Sequence, residues 1–96
     1  NSTAERMEPI MYEEKITIQN QSGLHARPAS ELVEVSSKYD SDIILVHEDD
    51  EINAKSIISV LSGGILPGME VLLQVEGSDE QEAAQAVSAL LHNLPD

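Results

Sequence analysis

From Met11 onward the chain switches between two hydrophobic periods, and the switches mark out its elements. Ile16 and Ile18 alternate with Lys15, Thr17 and Gln19, which predicts a half-buried strand over 12–19. Asn20-Gln21-Ser22-Gly23 are turn formers that end it. The spacing then lengthens to three and four. Ala26, Ala29, Leu32, Val33, Ser36 and Tyr39 share one face, Glu31, Glu34 and Lys38 fall mostly off it, and a helix is predicted over 26–38, starting directly after His25. Pro28 fits its first turn, where a missing N–H leaves no bond unmade. The β-branched run Ile43-Ile44-Leu45-Val46 predicts a second strand within 42–48, and the acidic turn Glu48-Asp49-Asp50-Glu51 leads to a short third strand over 52–54. Ser56 to Ser62 mixes apolar and hydroxyl residues without strand flanks and reads as one or two helical turns, closed by Gly63-Gly64 and a Pro67-Gly68 turn. Met69, Val71, Leu73 and Val75 alternate with Glu70, Leu72, Gln74 and Glu76 as a fourth strand. Ser78-Asp79-Glu80-Gln81 has the form of a capping box, so a last helix follows, with Ala83, Ala84, Val87, Leu90, Leu91 and Leu94 as its apolar stripe and Pro95 just past its end.

The order is β-α-β-β-α-β-α, an α+β arrangement in which two sizeable amphipathic helices cover one side of a four-stranded sheet. The short connection between strands two and three makes that pair antiparallel. Residues 1–10 have no periodicity and are expected to be a flexible tail; residues 11–96 are expected to be a single domain.

Composition narrows the function. A chain of 96 residues builds one small core. It has no cysteine, hence no disulfide, thiolate nucleophile or cysteine metal site. A net charge of −13 argues against nucleic acid or an anionic membrane as partner, and the two tyrosines supply no platform for stacking bases. No apolar run reaches membrane-spanning length, and the polar, acidic stretch Asn1 to Ile10 does not fit a secretory signal, so the expected location is the cytoplasm. Against this acidic background the five basic residues, Arg6, Lys15, Arg27, Lys38 and Lys55, stand out.

Arg27 is next but one to a histidine. In Gly23-Leu24-His25-Ala26-Arg27-Pro28-Ala29, the glycine lets the chain turn sharply into the helix, and His25 falls at the helix N-cap. The open N–H groups of Ala26 and Arg27, with the positive end of the helix dipole, suit a phosphate, and the Arg27 guanidinium adds donors matched to phosphate oxygens. Neutral imidazole can attack phosphorus. No separate base, metal ligand or water-activating group accompanies it, which suits reversible transfer between proteins better than hydrolysis. On chemistry alone, a histidine at a helix start is more often an ordinary cap or surface residue, and Arg27 shifts that balance only modestly. His47 and His92 have no ligand-like spacing with it, so no metal and no cofactor are expected.

Residues 23–29 resemble the active-site signature of the HPr phosphocarrier family, and Asn53-Ala54-Lys55-Ser56-Ile57 resembles that family's regulatory serine segment, at the expected distance without a gap. The likeness covers about residues 11–95. It implies an HPr-like open-faced β-sandwich with antiparallel strand order 1-4-2-3. It implies that His25 takes a phosphoryl group on Nδ1 from phosphorylated enzyme I, itself charged by phosphoenolpyruvate, and passes it to the IIA component of a sugar permease, with Arg27 steadying the group. The chain would then be a monomeric phosphohistidine carrier, an intermediate in transfer more than a stand-alone enzyme. Ser56 would be a target of HPr kinase, its phosphate weakening docking to enzyme I and recruiting a transcriptional regulator; as a residue it also reads simply as an N-cap. Ile57, Ile58 and Leu61 match the docking helix and cannot all be buried by two turns, although Ile57 or Leu61 could also belong to the core.

Glu34, Ser37 and Ser59 stand where family members often carry lysines, and Gly63 and Leu66-Pro67 also depart from the usual pattern. The first set calls for an adapted partner; the second bears on loop shape. Nitrogen-type carriers and carrier modules of dihydroxyacetone kinase relays share the chemistry. A regulatory binding protein working through Ser56 alone is the other class, and such relatives lack the histidine that this chain has at position 25.

Overall fold

The computed structural model describes residues 11–94; the expected tail over 1–10 and the place of Pro95 lie outside the described residues. Along the chain run β1 (Tyr12–Thr17), α1 (Ala26–Ser36), β2 (Asp42–His47), β3 (Asp50–Asn53), α2 (Ile57–Ser62), β4 (Glu70–Glu76) and α3 (Glu80–His92). The four strands form one sheet in the order β1-β4-β2-β3, with every neighbouring pair antiparallel. This is the open-faced α+β sandwich that the sequence likeness implies.

Strand parity decides which face is covered. Pairing of Ile16 with Val71, of Val75 with Ile43, and of Leu45 with both Leu73 and Ile52 brings alternate apolar residues of all four strands into adjoining rows. The helices close this face with Ala29 and Leu32 of α1, Val60 of α2, and Ala83, Ala84, Val87 and Leu91 of α3, all buried in one cluster with the strand residues. Leu32, Leu45 and Leu73 are wholly buried, and removal of each from water is worth about 1.5–3 kcal/mol. A one-residue slip of β4 would turn Val71, Leu73 and Val75 out to solvent, so the register is firmly specified.

Several boundaries differ from the sequence reading. Strand β1 ends at Thr17 rather than 19, although Ile18 still donates to the Met69 carbonyl and accepts from Gly68 N–H. Helix α1 stops at Ser36, two residues early; Lys38 and Tyr39 bond back to Val35 and Ser36 in tighter turns, and Lys55 Nζ donates to the Tyr39 carbonyl at 2.6 Å. Ala26 is exposed while Pro28 is buried, so the apolar face of α1 is rotated at its first turn. Strand β3 begins at Asp50, because the acidic turn needs only Glu48, at φ 55°, and Asp49. The predicted capping box at Ser78 does not form. Asp79 is the N-cap, and its carboxylate faces away to accept the N–H groups of Asp40 and Ser41 and the Ser41 hydroxyl. The Glu80 carboxylate instead reaches back to Gly77 N–H at 3.0 Å. A long-range tie between the α1–β2 turn and α3 has displaced the local cap.

Candidate phosphoryl-acceptor site

The loop between β1 and α1 is built rather than slack. Asn20, only 9% exposed, holds Gly23 by two hydrogen bonds, and Gly23 adopts φ 71°. A side chain there would meet the Ile65 carbonyl oxygen and the Leu66 backbone, so only glycine both turns left-handed and lets the next loop approach. Leu24 seals the contact. Its side chain is in the core, and its N–H donates to the Ile65 carbonyl at 3.0 Å. Two loops distant in sequence are thereby locked together directly before His25.

His25 is the N-cap of α1, with extended backbone (φ −103°, ψ −157°), and its carbonyl accepts the first helical bond from Ala29 N–H at 2.7 Å. Its imidazole makes no capping bond, so the ring is not spent on the helix. Pro28, the third helical residue, has no N–H, which leaves Ala26 and Arg27 as the open donors at this end. His25, Ala26 and Arg27 are all exposed. The site is an open surface, accessible to a macromolecule. Arg27 presents its guanidinium to solvent and stands 3.5 Å through Nε from the Glu31 carboxylate, one turn further along α1.

Ser56 caps α2, its Oγ accepting from Ser59 N–H at 3.2 Å, and it is half-buried. The Ser59 hydroxyl in turn accepts from Asn53 N–H at 2.9 Å. Ser59, one of the departures from the usual lysines, is thus used inside the turn, whereas Glu34 and Ser37 are exposed. A Cβ at Gly63 would require the Ile52 side chain to shift, because its Cδ1 occupies that space.

Of the apolar residues on α2, only Val60 is buried; Ile57, Ile58 and Leu61 are 38%, 74% and 46% exposed, so none of these three is ordinary core. Leu66, 56% exposed, lies in the loop whose Ile65 carbonyl accepts from Leu24 N–H. Neither Leu66 nor Asn20 is singled out by the sequence pattern as a site residue. The Gly63-Gly64 and Pro67-Gly68 turns on either side of Leu66 were the available signal. Among the described residues no group of three or more His, Cys, Asp or Glu side chains could hold a metal ion, and His47 and His92 lie on other elements, bonded to the Glu70 carbonyl and the Glu14 carboxylate. No helix of the described residues is long and apolar enough to cross a membrane.

Residues 12–93 match the family model described as the PTS HPr component phosphorylation site. Among solved structures, the chain is similar to HPr-C-His from Thermoanaerobacter tengcongensis, with 42% identity over 84% of this chain and 91% of that one and a TM-score of 0.81. It is similar to the phosphocarrier protein HPr of Bacillus anthracis str. Ames, with 32% identity over 84% and 96% of the two chains and a TM-score of 0.80. It is also similar to Crh, the catabolite repression containing protein of Bacillus subtilis, with 35% identity over 82% and 91% and a TM-score of 0.69. With the family match running from β1 through α3, on a sheet ordered as the motif pair implied, the chain belongs to the HPr family of the phosphotransferase system.

Proposed function

We propose that the chain carries a phosphoryl group on His25, taking it from phosphorylated enzyme I and giving it to a IIA component in sugar uptake. The observation that carries this reading is the state of His25: an exposed N-cap whose ring makes no capping bond, beside two open N–H donors and an exposed cation, Arg27. The neutral imidazole with its proton on Nε2 attacks through Nδ1. The nitrogen–phosphorus bond forms as the donor–phosphorus bond breaks, and the donor leaves with the electron pair, so no base is needed. Ala26 N–H, Arg27 N–H and the guanidinium then face the phosphoryl oxygens. The reverse step hands the group on.

Ile57, Ile58 and Leu61 form the docking surface for enzyme I and IIA, and Leu66 joins them. The protein acts as a cytoplasmic monomer; dimers occur among its structural relatives, including an HPr of Thermoanaerobacter tengcongensis. A second reading is favoured by the likeness to Crh and by the half-exposed Ser56: HPr kinase phosphorylates Ser56, which weakens enzyme I docking and recruits a transcriptional regulator. The two readings are compatible, because His25 and Ser56 are separate groups at two helix starts.

Incubation with phosphoenolpyruvate and enzyme I, followed by intact-mass measurement, tests the carrier reading. It predicts an acid-labile phosphoryl adduct on the wild type that is absent from His25→Ala. A wild type that stays unmodified beside an enzyme I of matched specificity rejects it.

A further inference from the structure

Arg27 already has an anionic partner. Its Nε lies 3.5 Å from Oε2 of Glu31, and among the described residues it pairs with no other carboxylate. Glu31 is four residues further into α1, whereas His25 is at the N-terminal end. The guanidinium thus has one anion behind it along the helix and, once His25 is charged, a second one ahead of it. The Nε–H held toward Glu31 is one donor fewer for the phosphoryl oxygens.

We propose that Arg27 exchanges anions during each cycle, pairing with Glu31 while His25 is bare and turning to the phosphoryl group once His25 is charged, so that Glu31 is a positioning residue that holds down the stability of the phosphohistidine. This rests on the reading of His25 as phosphoryl acceptor. Both consequences of the Glu31 carboxylate act in one direction: it competes for the cation, and it repels a phosphoryl group of nearly two negative charges. The pair is suited to yielding. The Arg27 and Glu31 side chains are 74% and 38% exposed, where ion pairs are weak. A basic residue placed N-terminal to its acidic partner is also the poorer order on a helix, because each charge faces the wrong end of the dipole. The phosphoryl group at the N-terminus has the dipole and two N–H donors on its side, so it captures Arg27 when present. A carrier gains from this, because a phosphoryl group held too well is not passed on.

Glu31→Gln keeps the length and helix preference of the side chain and removes the charge. In one arm, equal amounts of wild type and isotopically heavy Glu31→Gln share catalytic enzyme I and limiting phosphoenolpyruvate until equilibrium. Intact mass should show the variant with about twofold more phosphorylated over free protein, the size of one surface helix pair. In the other arm both proteins are charged with phosphoramidate, which needs no enzyme, and the Arg27 Nε–H resonance is followed by NMR. It should differ between the two uncharged proteins and converge after charging. Equal phosphoryl partition, or an Arg27 resonance in the wild type that charging leaves unmoved, overturns the proposal. If enzyme I charges neither protein, the carrier reading fails and the NMR arm still decides whether Arg27 exchanges anions.

Discussion

Asn20 holds Gly23 from both sides, donating through Nδ2 to its carbonyl at 3.0 Å and accepting its N–H through Oδ1 at 3.2 Å. The relationship fixes the one left-handed residue in the approach to His25, and with it the packing of that loop against Ile65 and Leu66. Asn20→Ala leaves two backbone groups of a tight loop without their partner. It is expected to lower the free energy of unfolding by about 1–3 kcal/mol in urea denaturation and to slow acceptance of phosphate by His25. An unchanged urea midpoint would remove Asn20 from this role.

A second network ties β1 to α3. The Glu14 carboxylate accepts from the Tyr12 hydroxyl at 2.6 Å and the Ser88 hydroxyl at 2.8 Å, and lies 3.1 Å from His92 Nε2. The Tyr12 bond, more than those to His92 and Ser88, holds the Glu14 carboxyl below its usual range, and the same bond to a carboxylate raises the Tyr12 phenol. A carboxyl whose pKa is lowered by folding stabilises the fold fully above its unfolded value and loses that contribution as pH falls through the folded one. Glu14→Gln should therefore be destabilised by about 1 kcal/mol at pH 7, a figure reduced for partial exposure. The difference from wild type should shrink as pH is taken below 4. Thermal melts of both proteins between pH 3 and 7 check this, and a difference constant across that range would contradict it.

Ser36 is wholly buried on α1, and among the described residues its hydroxyl has no hydrogen-bond partner. Burying such a group without a bond costs about 1–3 kcal/mol, so Ser36→Ala is expected to be neutral or to stabilise despite the lost volume. A calorimetric melting temperature more than a few degrees below wild type would show that the hydroxyl has a partner in solution.

The cap that Ser56 makes and the regulatory role proposed for it can be separated by substitution. Ser56→Ala loses the bond to Ser59 N–H and should destabilise by about 1 kcal/mol, while Ser56→Asp retains an acceptor at the cap and should not. If the surface formed by Ile57, Ile58 and Leu61 meets enzyme I, Ser56→Asp should still weaken that complex in titration calorimetry, through charge placed beside it. Equal affinity for wild type and Ser56→Asp would detach Ser56 from docking.

The element order and the buried faces were legible because Ile43, Leu45, Val71, Leu73 and Val75 obey the sheet's parity and Ala83, Ala84, Val87 and Leu91 obey the helix's. The place of His25 at the start of α1 was legible too, since Gly23 before it and Pro28 after it bound the helix start on both sides. What escaped were contacts made over long sequence distances. Asp79 is a good capping residue by type, yet Ser41, 38 residues away, takes its carboxylate, and nothing local announces that. Asn20 reads as a turn former, while its buried double bond to Gly23 depends on Ile65 closing the loop from the other side. The likeness to the HPr family supplied the strand order, which hydrophobic periodicity cannot distinguish from other four-stranded arrangements.

The most direct test of the carrier assignment follows the phosphoryl group through the protein. The chain is charged with labelled phosphoenolpyruvate and enzyme I, freed of both, and mixed with a purified IIA component. The account predicts that label leaves His25 and appears on the IIA protein faster than it appears as inorganic phosphate, and that His25→Ala carries none. Label that stays on the chain, or that is released only as inorganic phosphate, contradicts it.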